Sequence, residues 1–125
     1  MNAGKNSNIV VLGASNKPEK YSYMAVDMLK SHGFNVIPVH PSGISVCNLD
    51  TKRSLLEINA SIDTLSIYVN SSLSSRESEA ILKLNPRRII FNPGTENPSL
   101  ENICSQKGIE VIHACTLVLL RTSSF

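Results

Sequence analysis

The sequence predicts a single α/β domain built on one doubly wound parallel sheet, with five main strands in the order 3-2-1-4-5. Three observations support this. The chain has 125 residues, which suits one domain with its own core. Short apolar runs alternate with segments of helical spacing, a pattern typical of parallel strands joined by right-handed crossovers. The first apolar run also stops at a glycine just before a helix, as in open sheets of this kind.

The chain is organised around residues 8–32. Residues 8–13 form an apolar run that ends at Gly13, and residues 14–20 form a polar loop. Residues 21–32 then have apolar side chains at helical spacing, namely Met24, Ala25, Met28 and Leu29. A strand, a tight turn and a helix in this order present backbone N–H groups and a helix N-terminus to a phosphate.

The next elements are a strand and an irregular stretch. Residues 34–39 form a short apolar run that ends in a turn at residues 40–43. Within residues 44–63 we expect a short strand at 44–46 and a short helix at 55–58 that begins at an N-cap serine, Ser54.

The second half of the chain alternates regularly. Strands are expected over residues 64–70, 88–92 and 109–112, where apolar and β-branched residues cluster. Between them we expect a serine-capped helix over residues 71–84, ended by Pro86, and a helix that opens at Asn97-Pro98 and closes at Gly108. A last helix over 115–121 is apolar on nearly every side.

Three loops should converge at one edge of this sheet. The chain reverses direction between the first strand and the strand that begins at Thr64, and ligands of such sheets lie beyond the strand carboxyl ends at that reversal. The loops are residues 13–22, 70–72 and 92–95.

Composition excludes several classes of protein. With 42% hydrophobic and 18% charged residues and a net charge of +2, the chain suits a globular protein and gives no reason to expect a nucleic-acid partner. No apolar run approaches the ~20 residues needed to span a bilayer, and the first residues do not form a secretory leader. The three cysteines (Cys47, Cys104 and Cys115) show no C-x-x-C spacing. We therefore expect a reducing, cytoplasmic location and no membrane partner.

Motif spacing bears on which nucleotide is bound. The dinucleotide fingerprint G-x-G-x-x-G begins at Gly13 but fails at Ser15 and Pro18. The second strand ends at residues 39–41 without the carboxylate that binds the ribose of NAD, and no G-x-x-x-x-G-K-[ST] loop is present. Lys17 and Lys20 could meet a pyrophosphate, or they could be ordinary solvated charges; spacing alone does not decide.

Several segments together resemble one family. The small stand-alone CoA-binding proteins, which are similar to the CoA-binding domain of the succinyl-CoA synthetase α subunit, are resembled by residues 11–15, 17–18, 20–25, 36–41, 68–70, 90–98 and 114–118. The resemblance covers nearly the whole chain, 1–125, as one domain. It implies a Rossmann-like fold and, as ligand, coenzyme A or an acyl-CoA.

The resemblance also implies contacts with each part of CoA. The implied pyrophosphate contacts are Gly13, Ala14, Ser15, Lys20, Tyr21 and Ser22. His40 and Pro41 would lie near the adenosine, and Val69, Asn70, Pro93 and Gly94 would flank the pantetheine. Residues 48–53 depart from the family pattern, so nothing is carried over there; the tail at residues 121–125 departs as well, without affecting a proposed contact.

Catalytic and metal-binding residues are not expected. No paired carboxylates, Ser-His-Asp set or metal cluster stands out. His113 has no carboxylate at a recognisable spacing to orient it, and Cys115 is interpreted as a buried, inert thiol. The phosphorylated histidine of the synthetase belongs to a second domain, which this sequence does not include.

Three hypotheses follow. The leading one is a non-catalytic module that binds CoA or an acyl-CoA. The alternatives are an NAD(P)-binding oxidoreductase or redox sensor, and a CoA-ligase subunit that needs a partner chain. For the apolar last helix, we expect either a homodimer through this region or burial under the C-terminal tail.

Overall fold

A computed structural model of the chain describes residues 2–125. Its five parallel strands are β1 (Asn8–Leu12), β2 (Asn35–Val39), β3 (Thr64–Ile67), β4 (Arg88–Phe91) and β5 (Glu110–His113). The helices are α1 (Tyr21–Ser31), α2 (Ser71–Arg76), α3 (Ser78–Leu84), α4 (Pro98–Gln106) and α5 (Thr116–Arg121). A short 3₁₀ turn covers Leu55–Glu57, where the Ser54 side chain accepts from the Leu56 amide as an N-cap.

The predicted fold class is confirmed, but the strand order differs from the prediction. The sheet runs β2-β1-β3-β4-β5, so β3 pairs with β1 and not with the outer side of β2. Beyond β2, residues 2–125 contribute only a single parallel bridge, between Val39 and Lys52. The expected strand at 44–46 is reduced to one bridge between Val46 and Leu49, because positive φ angles at Cys47 (51°) and Asn48 (63°) turn the chain back.

The sheet is covered on both faces, as its nearly continuous apolar strands require. On one face, Val10, Leu65 and Ile89 pack with Ile81 of α3 and Leu100 of α4. On the other face, β1 and β4 pack against α1 and α5 through a separate cluster that includes Ile9, Val26, Leu29, Ile90 and Leu120. Each of these buried side chains contributes about 1.5–3 kcal/mol relative to exposure, so the loops at the sheet edge rest on a rigid base.

The helix expected over 71–84 is two helices with a break at Glu77, whose φ and ψ of −93° and 4° leave the α region. Serines on both sides of the break donate to nearby backbone carbonyls, Ser74 Oγ to that of Ser71 and Ser78 Oγ to that of Ser75, and such bonds compete with regular helix. The cap is also different from the predicted serine: Asn70 Oδ1 accepts from the Leu73 amide at 2.9 Å.

The C-terminal residue closes the α1–α5 face. The Phe125 ring lies 4.5 Å from the buried Arg88 guanidinium, and its carbonyl accepts from Arg88 Nη2 at 3.0 Å. Phe125 belongs to the same buried cluster as Leu120, so the tail covers part of the last helix, as one of the two sequence alternatives expected. Val118 remains 50% exposed.

Within residues 2–125, every helix is too short or too polar to cross a bilayer.

Candidate functional site

Gly13 makes a sharp turn at the end of β1 that only glycine can adopt here. Its φ is +88°, and a Cβ at this position would lie 2.7 Å from Cγ1 of Val69. The amides of Gly13 and Ala14 both donate to the Val39 carbonyl, at 3.0 and 3.1 Å. These two amides are therefore already bonded, and the first free amides of the loop come after them.

The start of α1 presents unpaired donors. Lys20 is the N-cap residue, and its side chain makes no capping hydrogen bond. Among the described residues, the amides of Tyr21, Ser22 and Tyr23 at this helix start have no acceptor, and neither do those of Ser15 and Asn16 in the preceding loop. Free amides at the N-terminus of an 11-residue helix create a positive potential that suits an anion.

Three hollows surround this loop. The first encloses about 340 Å³ and is lined by Leu12, Gly13, Val39, His40, Pro41, Arg53, Val69, Leu73, Arg76 and Glu77. The second encloses about 310 Å³ and is lined by Ala14, Ser15, Asn16, Lys17, Lys20, His40, Ser42, Ile44 and Val46. The third encloses about 420 Å³ and is lined by Tyr21, Met24, Tyr68, Asn92, Pro93, Cys115, Leu117 and Arg121.

The three hollows adjoin one another. His40 lines both the first and the second, and Lys20 of the second is followed directly by Tyr21 of the third. They lie at the carboxyl ends of β1 to β4, on both sides of the point where the chain reverses direction between β1 and β3. An elongated ligand could therefore extend from the first hollow to the third across the start of α1.

Positive charge is concentrated around these hollows. Their cationic lining residues are Arg53, Arg76, Lys17, Lys20 and Arg121, and the only carboxylate among the lining residues is that of Glu77. The whole chain has a net charge of only +2, so this edge of the sheet is distinctly more basic than the rest of the surface. A ligand with several negative charges is the kind that such an edge attracts.

The hydrogen bonds of His40 leave one ring nitrogen available. Its Nδ1 accepts from the Ser42 amide at 3.0 Å, and the Ser42 hydroxyl also lies 2.8 Å from Nδ1. Because Nδ1 is an acceptor, the neutral ring holds its proton on Nε2. That Nε2–H has no acceptor among the described residues, so His40 can donate to a ligand at the wall shared by the first two hollows.

Asn92 fixes the floor of the third hollow. Its Nδ2 donates to the Ser66 hydroxyl and the Ile67 carbonyl, at 2.9 and 2.8 Å, and its Oδ1 accepts from the Thr116 amide at 2.8 Å. Asn92 thus joins β3, β4 and the start of α5. Burial raises the pKa of the neighbouring Tyr68 to about 12, so its phenol is neutral at physiological pH.

Most of the residues predicted from the sequence line these hollows. They are Gly13, Ala14, Ser15, Lys20, Tyr21, His40, Pro41, Val69 and Pro93. Ser22, Asn70 and Gly94 do not. The Ser22 side chain is buried, Asn70 caps α2, and the Gly94 amide donates to the Glu96 carboxylate at 3.1 Å, so Ser22 can offer only its free backbone amide to a ligand.

The sequence motifs missed Arg53 and Arg76. Arg53 lies in the stretch 48–53, which departs from the family pattern, and Arg76 lies in the helix expected over residues 71–84, outside the segments that carry the resemblance. Arg53 reaches the first hollow because residues 52–53 follow the end of β2 through the bridge between Val39 and Lys52, and Arg76 lines it from the end of α2. Their positions in the sequence do not show that these two arginines lie close together in space.

His113 does have an orienting carboxylate, contrary to the expectation from spacing. Its Nε2 lies 2.6 Å from Glu101 Oε1, and Glu101 Oε2 accepts from the Asn97 amide at 2.7 Å. The pair joins the end of β5 to the first turn of α4 and lines none of the three hollows. Within residues 2–125 no group of three or more His, Cys, Asp or Glu side chains could hold a metal ion.

Comparison with protein families identifies one match across the chain. The model of a CoA binding domain family matches residues 7–121, which include all three hollows and every residue predicted for the site. Among curated proteins, the uncharacterized Bacillus subtilis protein YneT is 25% identical over 120 residues, which cover 90% of this chain and 89% of YneT.

Solved structures agree at the level of the fold. An uncharacterized protein with 38% sequence identity matches with a TM-score of 0.92, over 98% of this chain and 100% of its own. A Thermus thermophilus protein with 25% identity matches with a TM-score of 0.88, over 96% of this chain and 91% of its own. A dinucleotide-forming acetyl-coenzyme A synthetase from Ca. Korarchaeum cryptofilum, 22% identical, shares the fold with a TM-score of 0.74 over 88% of this chain and 26% of its own.

Proposed function

The chain belongs to the CoA-binding domain family, and from that premise we propose that it binds coenzyme A or an acyl-CoA across the carboxyl end of its sheet. The adenosine occupies the first hollow, the pyrophosphate lies in the second against the start of α1, and the pantetheine arm enters the third. This orientation follows the path that a nucleotide ligand takes in a doubly wound sheet, where it crosses the reversal point between β1 and β3.

The observation that supports this proposal most strongly is the set of free donors around the second hollow. Lys17 and Lys20 line the second hollow together with Ser15 and Asn16, whose amides have no acceptor among the described residues, and Lys20 directly precedes the free amides at the start of α1. Neither lysine side chain has a hydrogen-bond or ion-pair partner among the described residues. A pyrophosphate satisfies these donors through charge-assisted hydrogen bonds, which are roughly twice as strong as neutral ones.

NAD(P) fits the same edge less well. The end of β2 reads Val39-His40-Pro41, without the carboxylate that accepts from the ribose hydroxyls of NAD. Glu77 does reach the first hollow, but from the junction of α2 and α3, between two arginines that favour an anion. These features disfavour NAD. The 2′-phosphate of NADP would suit the two arginines, but the dinucleotide fingerprint fails at Ser15 and Pro18 for NAD and NADP alike, so an NAD(P)-dependent oxidoreductase or redox sensor is the weaker alternative.

The proposed role is binding without catalysis, in a reducing cytoplasmic compartment. The three cysteines are free thiols, and the oriented His113–Glu101 pair lies outside the hollows. Cys115, expected to be a buried thiol, is half-buried and lines the third hollow, where in this proposal it contacts the pantetheine arm without reacting. The third hollow is large enough for an acyl group on the thiol, so both CoA and acyl-CoA are ligands in this proposal.

A CoA-ligase subunit is the second candidate, and the shared fold of the acetyl-coenzyme A synthetase supports it. In that case a partner chain supplies the catalytic domain. The purified chain alone would then form no acyl-CoA from a carboxylic acid, ATP and CoA, and formation would begin when the partner is added.

A thermal-shift panel tests the proposal, with CoA, acetyl-CoA, NAD, NADP and ATP, followed by calorimetry on each ligand that raises Tm. A ligand that binds only the native state stabilises it by RT ln(1 + [L]/Kd), so CoA should raise Tm increasingly with concentration. NAD should raise it much less. Equal shifts from CoA and NAD, or a larger one from NAD, would contradict the proposed ligand class.

A further inference from the structure

Two arginines, Arg53 and Arg76, line the first hollow, to which the adenosine is assigned. Neither lies in the segments that carry the resemblance to the CoA-binding proteins. Arg53 follows the single bridge beside β2, and Arg76 is the last residue of α2. Both line the first hollow together with apolar side chains from β1, β2, the loop after β3 and α2, namely Leu12, Val39, Val69 and Leu73. The first hollow thus combines an apolar slot suited to a flat base with two cations at its wall.

Arg53 is held in place while part of its guanidinium stays free. Nη1 donates to the Pro41 carbonyl at 3.0 Å, and the backbone amide of Arg53 donates to Glu57 Oε1 at 2.9 Å. Gly43 makes room for the side chain, since a Cβ there would lie 2.9 Å from Arg53 Nε. Nε and Nη2 have no acceptor among the described residues, so a pre-positioned fork remains available to a ligand.

Arg76 has its whole guanidinium available. Within residues 2–125 its side chain makes no hydrogen bond and no ion pair. Glu77 is the one carboxylate that lines the first hollow, so two positive charges face a single negative one. The hollow has an excess of positive charge at the end of the site away from Lys17 and Lys20, which line the second hollow.

The excess is explained by a second anionic group on the ligand, separate from the pyrophosphate. A phosphate monoester has about −1.5 to −2 charges at pH 7, and arginine forks bind phosphate in a bidentate manner. CoA has such a monoester on the ribose 3′ position, next to the adenine, whereas dephospho-CoA and NAD lack it.

We propose that Arg53 and Arg76 form a subsite for the ribose 3′-phosphate and make the protein selective for CoA over dephospho-CoA. This inference rests on the proposed binding of CoA with its adenosine in the first hollow. The pyrophosphate and pantetheine contacts are common to both ligands, so the two arginines account for the difference between them.

Calorimetry with CoA and with dephospho-CoA, at one fixed salt concentration, tests the subsite. The parent should bind CoA at least tenfold more tightly, because a charge-assisted contact of this kind corresponds to a factor of ten or more. Arg53→Gln and Arg76→Gln should each weaken CoA binding about tenfold and change dephospho-CoA binding less than threefold. In the double variant the two ligands should bind within about threefold of each other.

Lys107→Gln is the matched control, because it removes one exposed cation at the C-cap of α4, outside the lining of the three hollows, and should leave both affinities unchanged. Equal binding of CoA and dephospho-CoA by the parent would overturn the subsite while the proposed function stands. Equal losses for both ligands in the arginine variants would also overturn it, since the arginines would then act on a shared part of the ligand. If neither ligand binds the parent, the proposed function itself is wrong.

Discussion

Arg53 donates from Nη1 to the carbonyl oxygen of Pro41 at 3.0 Å, and this bond ties an irregular segment to the end of β2. The adjacent Lys52 strengthens the link: its carbonyl accepts from the His40 amide and its amide donates to the Pro38 carbonyl, both at 2.9 Å. The segment without any recognisable motif is therefore part of the wall of the first hollow. It brings an arginine to the adenosine end of the proposed site.

Lys20→Ala should weaken CoA binding by about tenfold or more. Its ammonium faces the proposed pyrophosphate, and a charge-assisted hydrogen bond is worth roughly 1.5–3 kcal/mol, where ~1.4 kcal/mol is a factor of ten. The salt dependence of binding should also flatten, because one screened charge is lost. Calorimetry at two salt concentrations measures both effects.

The ligand-free Tm of Lys20→Ala should stay close to that of the parent, since the side chain is exposed and unpaired among the described residues. Lys83→Ala, which removes an exposed cation on α3, should bind CoA normally. Ser15→Ala should cost less than Lys20→Ala, because a neutral hydroxyl bond is worth only about 0.5–1.5 kcal/mol. Unchanged affinity and salt slope in Lys20→Ala would show that the pyrophosphate lies elsewhere.

Asn92→Ala should lower the free energy of unfolding by about 2–4 kcal/mol. The substitution leaves the Thr116 amide and the Ile67 carbonyl buried without their present partner, and each such group costs about 1–3 kcal/mol. Urea unfolding measures the loss. The exposed Asn102 on α4 offers the control, since Asn102→Ala should change stability by less than about 0.5 kcal/mol. If Asn92→Ala also lost less than about 0.5 kcal/mol, the hydrogen-bond network assigned to Asn92 would be contradicted.

The Asp63–Arg87 pair should make stability depend on pH below pH 4. Burial opposes ionisation of Asp63, but hydrogen bonds from Arg87 Nε at 2.7 Å and from the Thr64 hydroxyl at 2.6 Å outweigh it and hold the pKa of Asp63 below its ordinary 3.8. A lowered folded-state pKa gives stability that is fully present above the ordinary value. That stability is lost as the pH falls through the folded pKa.

Asp63→Asn should therefore be less stable than the parent at pH 6, by roughly 1 kcal/mol or more, with the gap closing below about pH 4. Urea unfolding at a series of pH values measures the gap. Asp50→Asn removes an exposed carboxylate without a partner among residues 2–125 and should show no such gap. A gap for Asp63→Asn that stays constant down to pH 2.5 would contradict the role assigned to the carboxylate charge.

A homodimer through α5 remains a prediction. Leu117 and Leu120 are buried within the chain and Phe125 covers part of the helix, whereas Val118 and Tyr21 are 50% and 71% exposed. If these side chains meet a second copy, sedimentation should show a dimer and Val118→Glu should yield a monomer. If the parent protein sediments as a monomer at high micromolar concentration, the dimer is excluded. The C-terminal tail alone would then shield the apolar side of α5.

Local sequence patterns predicted the elements whose structure is determined locally. The apolar run before Gly13 and the Asn97-Pro98 cap appear in the structure as β1 and the start of α4, because strand composition and capping act over a few residues. The strand order, the break at Glu77 and the place of Arg53 depend on contacts between distant segments. The orienting partner of His113 lies 12 residues away on another element, so spacing alone could not reveal it.

For the candidate site, the sequence identified the loops but not the availability of their donors. Gly13 and Ala14 were expected to contact a pyrophosphate, yet their amides are bonded to Val39, and the free amides lie at the start of α1. Which amides are free depends on the register between β1 and β2, because that register places the Val39 carbonyl opposite the amides that follow β1. Similarly, the three-way network of Asn92 needed β3, β4 and α5 to be placed in space.

The central claim is that CoA binds at the carboxyl end of the sheet, and amide chemical-shift mapping of the isotope-labelled chain during a CoA titration tests it most directly. We predict shifts at the amides of Ser15, Asn16, Tyr21 and Ser22, with smaller ones around His40. The groove between the 3₁₀ turn and α3, lined by Leu56, Asn59 and Lys83 among others, should stay unchanged. Shifts concentrated in that groove, or none at all at millimolar CoA, would contradict the account.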